Sequence, residues 1–93
     1  MGSFLMLGRY SQDAINGIAS QRTKEAVKII EKAGGKVKLM YSLLGGYDLA
    51  LLVELGSVTE TMKVSVSLAK LTGISFRSFP AITVEEFDKS MEK

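Results

Sequence analysis

The chain of 93 residues is long enough for one domain, near the small end of the size range that folds without metals or cross-links. Its 46% hydrophobic residues suffice for a core, and its net charge of +2 is too small to indicate a kind of partner. The absence of cysteine and histidine excludes a disulfide framework and a thiolate metal site, and it removes the commonest general base near neutral pH.

The start of the chain is a short apolar run, SFLMLGRY at residues 3–10, which predicts a first strand. The run is too short to cross a membrane and has no basic leader, so we expect a cytoplasmic protein with neither a signal peptide nor a membrane span. Ser11 is placed to cap the helical stretch that follows. Gly17 divides that stretch into a short helical turn and a main helix from about Gln21. The glycines at positions 34 and 35 end it, because glycine accepts the left-handed conformation of helix ends.

A hairpin is predicted next. KVKLMYSLL at 36–44 predicts strand two, YDLALLVEL at 47–55 predicts strand three, and Gly45-Gly46 predicts the tight turn between them. Successive side chains of a strand point to opposite faces, so each strand presents two sets of residues. The set assigned to the helix-covered face is Val37, Leu39, Tyr41, Leu43, Leu49, Leu51, Val53 and Leu55. The set assigned to the other face is Lys38, Met40, Ser42, Leu44, Asp48, Ala50, Leu52 and Glu54.

A helix, a strand and a tail helix complete the chain. Ser57 and Glu60 fit a capping box, and the helix that they start ends at Gly73. Apolar residues run almost all round this helix, so we expect it to be deeply covered. GISFRSFPAI at 73–82 predicts strand four, and a second capping box at 83–86 starts a short C-terminal helix. The order predicts an α+β, ferredoxin-like βαββαβ domain over residues 1–93, with a four-stranded antiparallel sheet and both long helices on one face.

The sheet face without helices is predicted to be apolar over much of its area. Its apolar members are Met40, Leu44, Ala50, Leu52 and Phe79, which lie among charged residues and small hydroxyls. A lone sheet with that much exposed apolar surface would tend to aggregate. A second copy packed sheet against sheet would cover it. The sequence therefore predicts a homodimer in the form of a dimeric α+β barrel with a partly polar interior.

Three motifs resemble the GYD domain family of small bacterial and archaeal proteins: Gly34-Gly35-Lys36-Val37, Gly46-Tyr47-Asp48-Leu49 and Leu71-Thr72-Gly73-Ile74. The resemblance covers nearly the whole chain, including Gly8-Arg9-Tyr10 in strand one. The Gly-Tyr-Asp and Gly-Ile motifs, taken together, are also similar to those of the ligand-binding domain of Lrp/AsnC regulators. Some of these regulators stand alone without a DNA-binding part. The resemblance implies a dimeric α+β barrel that can assemble into a ring or hexamer. It also implies small-molecule ligands, such as amino acids, near the glycine hairpin where dimers meet.

Five polar residues are candidates for ligand binding: Tyr47, Asp48, Arg9, Glu54 and Arg77. Tyr47 and Asp48 can contact a ligand, or Asp48 can bond turn amides while Tyr47 packs on a neighbouring subunit. The two arginines and Glu54 can line a barrel interior and hold an anion, or Arg77 can pair with a carboxylate across the dimer. The chain has no phosphate loop, paired catalytic carboxylates or metal-ligand spacing, so we assign no catalytic residue, metal or cofactor.

Lys24, Lys28 and Lys32 lie four apart on one predicted helix face, but glutamates interleave and no aromatic platform accompanies them. We interpret this pattern as a solvated face rather than as a nucleic-acid interface. The sequence favours a non-catalytic small-molecule binding or sensing domain that acts as a homo-oligomer. The alternative is a cofactor-independent enzyme of the dimeric-barrel oxygenase or isomerase type, acting on a small organic substrate. A structural module that assembles with other proteins is a third option.

Overall fold

The predicted order of strands and helices is present in the computed structural model, which describes residues 1–92. The elements are β1 (Gly2–Tyr10), α1 (Gln12–Asn16), α2 (Ser20–Lys32), β2 (Lys36–Ser42), β3 (Leu49–Leu55), α3 (Val58–Thr72), β4 (Ile74–Ala81) and α4 (Val84–Met91). The predicted break in the first helical stretch lies between α1 and α2. Within residues 1–92, no helix combines the length and the apolar character that a membrane crossing requires.

Short polar side chains start three of the four helices, as predicted. The hydroxyls of Ser11, Ser57 and Thr83 accept hydrogen bonds of 3.0–3.1 Å from the amides of Ala14, Glu60 and Glu86, respectively. Each bond satisfies an amide that the first turn of a helix leaves without a partner. Gly73 ends α3 with a φ of 76°, in the left-handed region that favours glycine.

The four strands form one antiparallel sheet in the order β2-β3-β1-β4. The central strands β1 and β3 pair from Gly2 opposite Leu55 to Gly8 opposite Leu49. Helices α2 and α3 pack on one face of this sheet and against each other. The fold is therefore α+β and ferredoxin-like. The other face, which we call the open face, carries no helix.

The core lies between the sheet and the two long helices. It consists of eight buried apolar residues: Phe4, Met6, Ile30, Leu51, Val53, Leu55, Val64 and Leu68. The predicted assignment of the β3 residues Leu51, Val53 and Leu55 to this face is confirmed, since each is at most 1% exposed. Burying one such side chain contributes about 1.5–3 kcal/mol, so the cluster is a large stabilising contribution to the fold.

A β-bulge interrupts the pairing of β2 with β3. The register shifts between Val37 and Leu39, so that Leu39 lies opposite Leu52. One extra residue inverts the face of every side chain that follows it. The predicted faces of β2 are therefore wrong from Leu39 onward, whereas Lys38 keeps its predicted face, where its ammonium lies 3.9 Å from the Glu54 carboxylate. Leu39 and Tyr41 are 49% and 60% exposed on the open face, whereas Met40 packs against the core.

The connection between β2 and β3 is longer than the predicted two-residue turn. It covers residues 43–48, which we call the hairpin loop, because β2 ends at Ser42 and β3 begins at Leu49. The amide of Leu43 donates a 2.9 Å hydrogen bond to the carbonyl oxygen of Asp48, which closes the loop around Gly45 and its neighbours. Leu43, predicted to lie in the core, is instead a 41% exposed loop residue.

Helix α3 is covered along one side only, so the prediction that it is deeply covered is wrong for the single chain. Its buried residues are Thr61, Val64, Leu68 and Thr72. Its exposed apolar residues are Val58, Met62, Val66 and Leu71. Helix α4 has no buried residue, and its apolar side chains Val84, Phe87 and Met91 are all more than half exposed.

Candidate functional site

The hairpin loop is fastened to the end of β1 by Asp48. The backbone amide of Tyr10 donates a 2.9 Å hydrogen bond to the Asp48 carboxylate, and the Asp48 amide donates a 2.8 Å bond to the carbonyl of Gly8. With the bond from Leu43, Asp48 thus makes three hydrogen bonds to backbone groups. Its carboxylate is engaged in holding the loop, through an amide of β1 rather than through the turn amides that the structural interpretation expected.

Arg9 and Tyr47 come together beside this fastening. The Arg9 guanidinium carbon lies 5.2 Å from the centre of the Tyr47 ring, within the range of a cation–π contact. Arg9 is exposed, Tyr47 is half-buried, and Arg9 forms no ion pair within residues 1–92. A held guanidinium with free N–H groups can bind a carboxylate in a bidentate manner. We call Arg9 and Tyr47 the loop site.

Of the two remaining predicted site residues, Glu54 lies away from the loop site, whereas Arg77 lies on the same face of the sheet as Arg9, on the neighbouring strand. Glu54 is near the other end of β3, where its carboxylate lies 3.9 Å from the Lys38 ammonium. It borders a groove of about 680 Å³ between the open face and the start of α4. Arg77 is exposed on β4, opposite Leu7 of β1. The structure therefore brings together Arg9, Tyr47 and Asp48, and it does not bring Glu54 to them.

A cavity opens on the helix side at the loop end of the sheet. Its volume is about 380 Å³, and it lies where the ends of β1 and β2 and the starts of β3 and β4 face α2 and α3. Its apolar lining includes Ile18, Ala26, Met40, Leu51, Leu68 and Phe76. Its polar lining consists of Tyr10, Ser20, Arg22, Thr23, Ser42 and Thr72. Both the size and the mixture of apolar walls with few polar groups are typical of small-molecule sites.

Arg22 is the charged residue of this cavity. Its Nη1 donates a hydrogen bond to the Ala14 carbonyl oxygen, and its guanidinium carbon lies 5.5 Å from the centre of the Tyr10 ring. It is half-buried and forms no ion pair within residues 1–92. The sequence did not single out Arg22 as a site residue. The feature of the sequence that could have indicated a cavity near Arg22 was the break at residues 17–19, which separates α1 from α2.

Gly8 shapes one wall of the cavity. A Cβ at this position would lie 2.8 Å from the Phe76 ring and 2.9 Å from the Ile74 side chain, closer than real Cβ contacts. Glycine therefore lets Phe76 lie across β1, where its ring lines the cavity. This close approach explains a glycine in the middle of a sheet, where it would otherwise weaken the strand.

An apolar row crosses all four strands on the open face. In the order of the strands it consists of Leu39, Leu52, Leu5 and Phe79, each paired with the next. Leu39, Leu5 and Phe79 are 37–49% exposed in the single chain. The neighbouring row is Tyr41, Ala50, Leu7 and Arg77. The open face thus has an apolar centre with charged residues beside it, which is the general make-up of a protein interface.

The described part of the chain holds no cluster of three or more aspartate or glutamate residues that could bind a metal ion.

Comparisons with known proteins agree on family and fold. The sequence profile of the GYD domain matches residues 4–91. The structure of the leucine response regulatory protein (LrpA) of Mycobacterium tuberculosis matches with a TM-score of 0.58 and 14% identity, over 89% of this chain and 51% of that chain. A glycine-to-threonine mutant of Rv3291c matches with a TM-score of 0.59 and 14% identity, over 90% of this chain and 52% of that chain. This chain thus spans about half the length of these solved structures. No curated protein sequence matches it.

Proposed function

The chain belongs to the GYD domain family, and from that premise we propose that it is a non-catalytic domain that binds or senses a small molecule as a homo-oligomer. The observation that carries the proposal is the loop site, where Arg9 lies over Tyr47 without an ion-pair partner in residues 1–92. The hydrogen bonds of Asp48 fix the loop that holds Tyr47. A site whose groups are held before binding loses little entropy when the ligand arrives.

Small acids, including amino acids, are the ligand class proposed for the loop site. A free guanidinium recognises a carboxylate, and the half-buried Tyr47 ring offers an apolar surface beside it. A protein of the same fold is named a leucine response regulatory protein, which makes leucine and other amino acids the first compounds to screen.

The open face supports the homo-oligomeric part of the proposal. Its apolar row would be covered if two copies packed sheet against sheet, with Leu52 near the centre. An obligate homodimer commonly buries about 2,000 Å² or more, and an apolar centre is its usual composition. Arg77, two residues from Phe79 on the same strand, would then face the partner's sheet and would need a carboxylate or an anionic ligand.

A thermal-shift screen of amino acids and other small carboxylates tests the loop site. A ligand at about 100 times its dissociation constant stabilises the native protein by roughly 2.7 kcal/mol, which a melting experiment on a small domain resolves readily. Arg9→Gln should remove the shift, whereas Lys28→Gln, which removes the same charge from an exposed position on α2, should retain it. A screen without a stabilising acid, or a shift that survives Arg9→Gln, would contradict the proposal.

A further inference from the structure

We propose that the cavity between the sheet and helix α2 is a second binding site, for a small carboxylic acid with an aliphatic or aryl body. This site is separate from the loop site, because its residues lie on the helix side of the sheet and the loop site faces the open side. The two sites share an end of the sheet but no residue.

The size and shape of the cavity are the first support. The cavity opens to solvent beside Ile18, which is 62% exposed, and its volume is about 380 Å³. This volume lies within the range that small-molecule sites have. Its inner walls, which include Leu51, Leu68 and Phe76, would contact the apolar body of a ligand.

The charge at the cavity is the second support. Arg22 is the charged lining residue, and it is half-buried without an ion-pair partner in residues 1–92. A guanidinium carries five N–H donors, and the Ala14 carbonyl engages one nitrogen, which leaves other donors for a ligand. Because the same bond and the Tyr10 ring hold the group in place, its position is set before an anion arrives.

The polar residues around Arg22 extend the anion-binding end of the cavity. Ser20 and Thr23 line it with hydroxyl groups from the first turn of α2. That turn begins at Ala19, which offers no side-chain cap, so the positive end of the helix dipole adds to the charge of Arg22. An apolar chamber with a cationic group at one end should bind a monocarboxylate more tightly than a neutral or cationic compound of the same shape.

Isothermal titration calorimetry with phenylacetate and hexanoate tests this site. Their neutral counterparts, 2-phenylethanol and 1-hexanol, have the same bodies without the charge. The acids should bind saturably and at least tenfold more tightly than the alcohols. Arg22→Gln should weaken the binding of the acids by about 10- to 100-fold, which is the effect of losing a hydrogen bond to a charged group. The affinity for the alcohols should not change.

Two variants keep the test independent of folding effects. Ala26→Leu fills the apolar chamber without altering Arg22, so it should weaken the binding of the acids and of the alcohols to the same extent. Lys28→Gln removes a charge from the exposed side of the same helix, and it should change neither the affinity for the acids nor the affinity for the alcohols. Thermal melting of each variant establishes that it is folded before titration.

Three results would overturn the proposal. The first is no saturable binding of either acid to the wild-type protein. The second is equal binding of the acids and the alcohols. The third is binding that persists in both Arg22→Gln and Ala26→Leu but is lost in Arg9→Gln, since the acid would then occupy the loop site. The third result would contradict the cavity site while supporting the loop site.

Discussion

The backbone amide of Tyr10 and the carboxylate of Asp48 are joined by a 2.9 Å hydrogen bond across 38 positions of sequence. Tyr10 is the last residue of β1 and lines the cavity on the helix side, while Asp48 is the last residue of the hairpin loop. Their bond therefore links the two candidate sites. It also gives the aspartate of the Gly-Tyr-Asp motif a physical role, as the acceptor that fixes the loop.

Asp48→Ala should lower the free energy of unfolding by about 1–3 kcal/mol, because it leaves the half-buried amide of Tyr10 without its acceptor. Asp48→Asn retains a side-chain oxygen and should lose less. Exposed Glu31 forms no ion pair within residues 1–92, so Glu31→Ala should change stability by under about 0.5 kcal/mol. Urea unfolding gives the free energy of unfolding of all three variants. Equal effects at positions 48 and 31 would show that the bond contributes nothing.

Gly8→Ala should destabilise the protein by about 1–3 kcal/mol, the usual cost of overpacking, because the new methyl group would press on Phe76 and Ile74. Gly46→Ala is the matched control. Gly46 has no atom within 4 Å of an added Cβ and no positive φ, so this change should be neutral or slightly stabilising. Differential scanning calorimetry gives both values. A neutral Gly8→Ala would mean that Phe76 can leave its place across β1.

Val64 and Val66 of α3 are two positions apart, and truncating them should have very different effects on stability. Val64 is 2% exposed and belongs to the core cluster, so Val64→Ala should cost about 1–3 kcal/mol in chemical denaturation. Val66 is 55% exposed, so Val66→Ala should be neutral within about 0.5 kcal/mol. A large loss at Val66 would show that another subunit covers the exposed side of α3.

Most of the fold could be predicted from the sequence because its local signals agree. Ser11, Ser57 and Thr83 are capping residues at the positions where helices begin, and Gly73 is a glycine where α3 ends. Alternation divides the residues of β3 between two faces over its whole length, and the assignment of Leu51, Val53 and Leu55 to the helix-covered face is correct. Here propensity, spacing and packing favour the same structure, which is why the prediction succeeds.

The errors lie where tertiary contacts decide the local structure. The bulge after Val37 depends on how β2 meets β3, and alternation within one strand carries no information about it. The hairpin loop is longer than a two-residue turn because Asp48 bonds to β1, a strand distant in sequence. The exposure of α3 could not be read from its composition, since its apolar residues would suit either a core or an interface.

The cavity was beyond sequence reasoning for a related cause. Its walls come from six separate strands and helices, and no short sequence motif indicates that these elements lie close together. Arg22 has no spacing relationship to Tyr10 that would mark the two as neighbours. The loop site was easier to anticipate, because Tyr47 and Asp48 are adjacent in a recognisable motif. Even there, the contact with Arg9 follows only from the attachment of the loop to β1.

Light scattering on the wild-type protein and on Leu52→Glu tests most directly the claim that the open face joins two copies of the chain. Leu52 lies within the apolar row, so a carboxylate there would be buried without a partner, once in each subunit of a symmetric dimer. Lys28→Glu places the same charge on an exposed position of α2. The account predicts an oligomeric wild-type protein, an oligomeric Lys28→Glu variant, and a Leu52→Glu variant that is monomeric or aggregated. A monomeric wild-type protein, or an intact Leu52→Glu dimer, would contradict it.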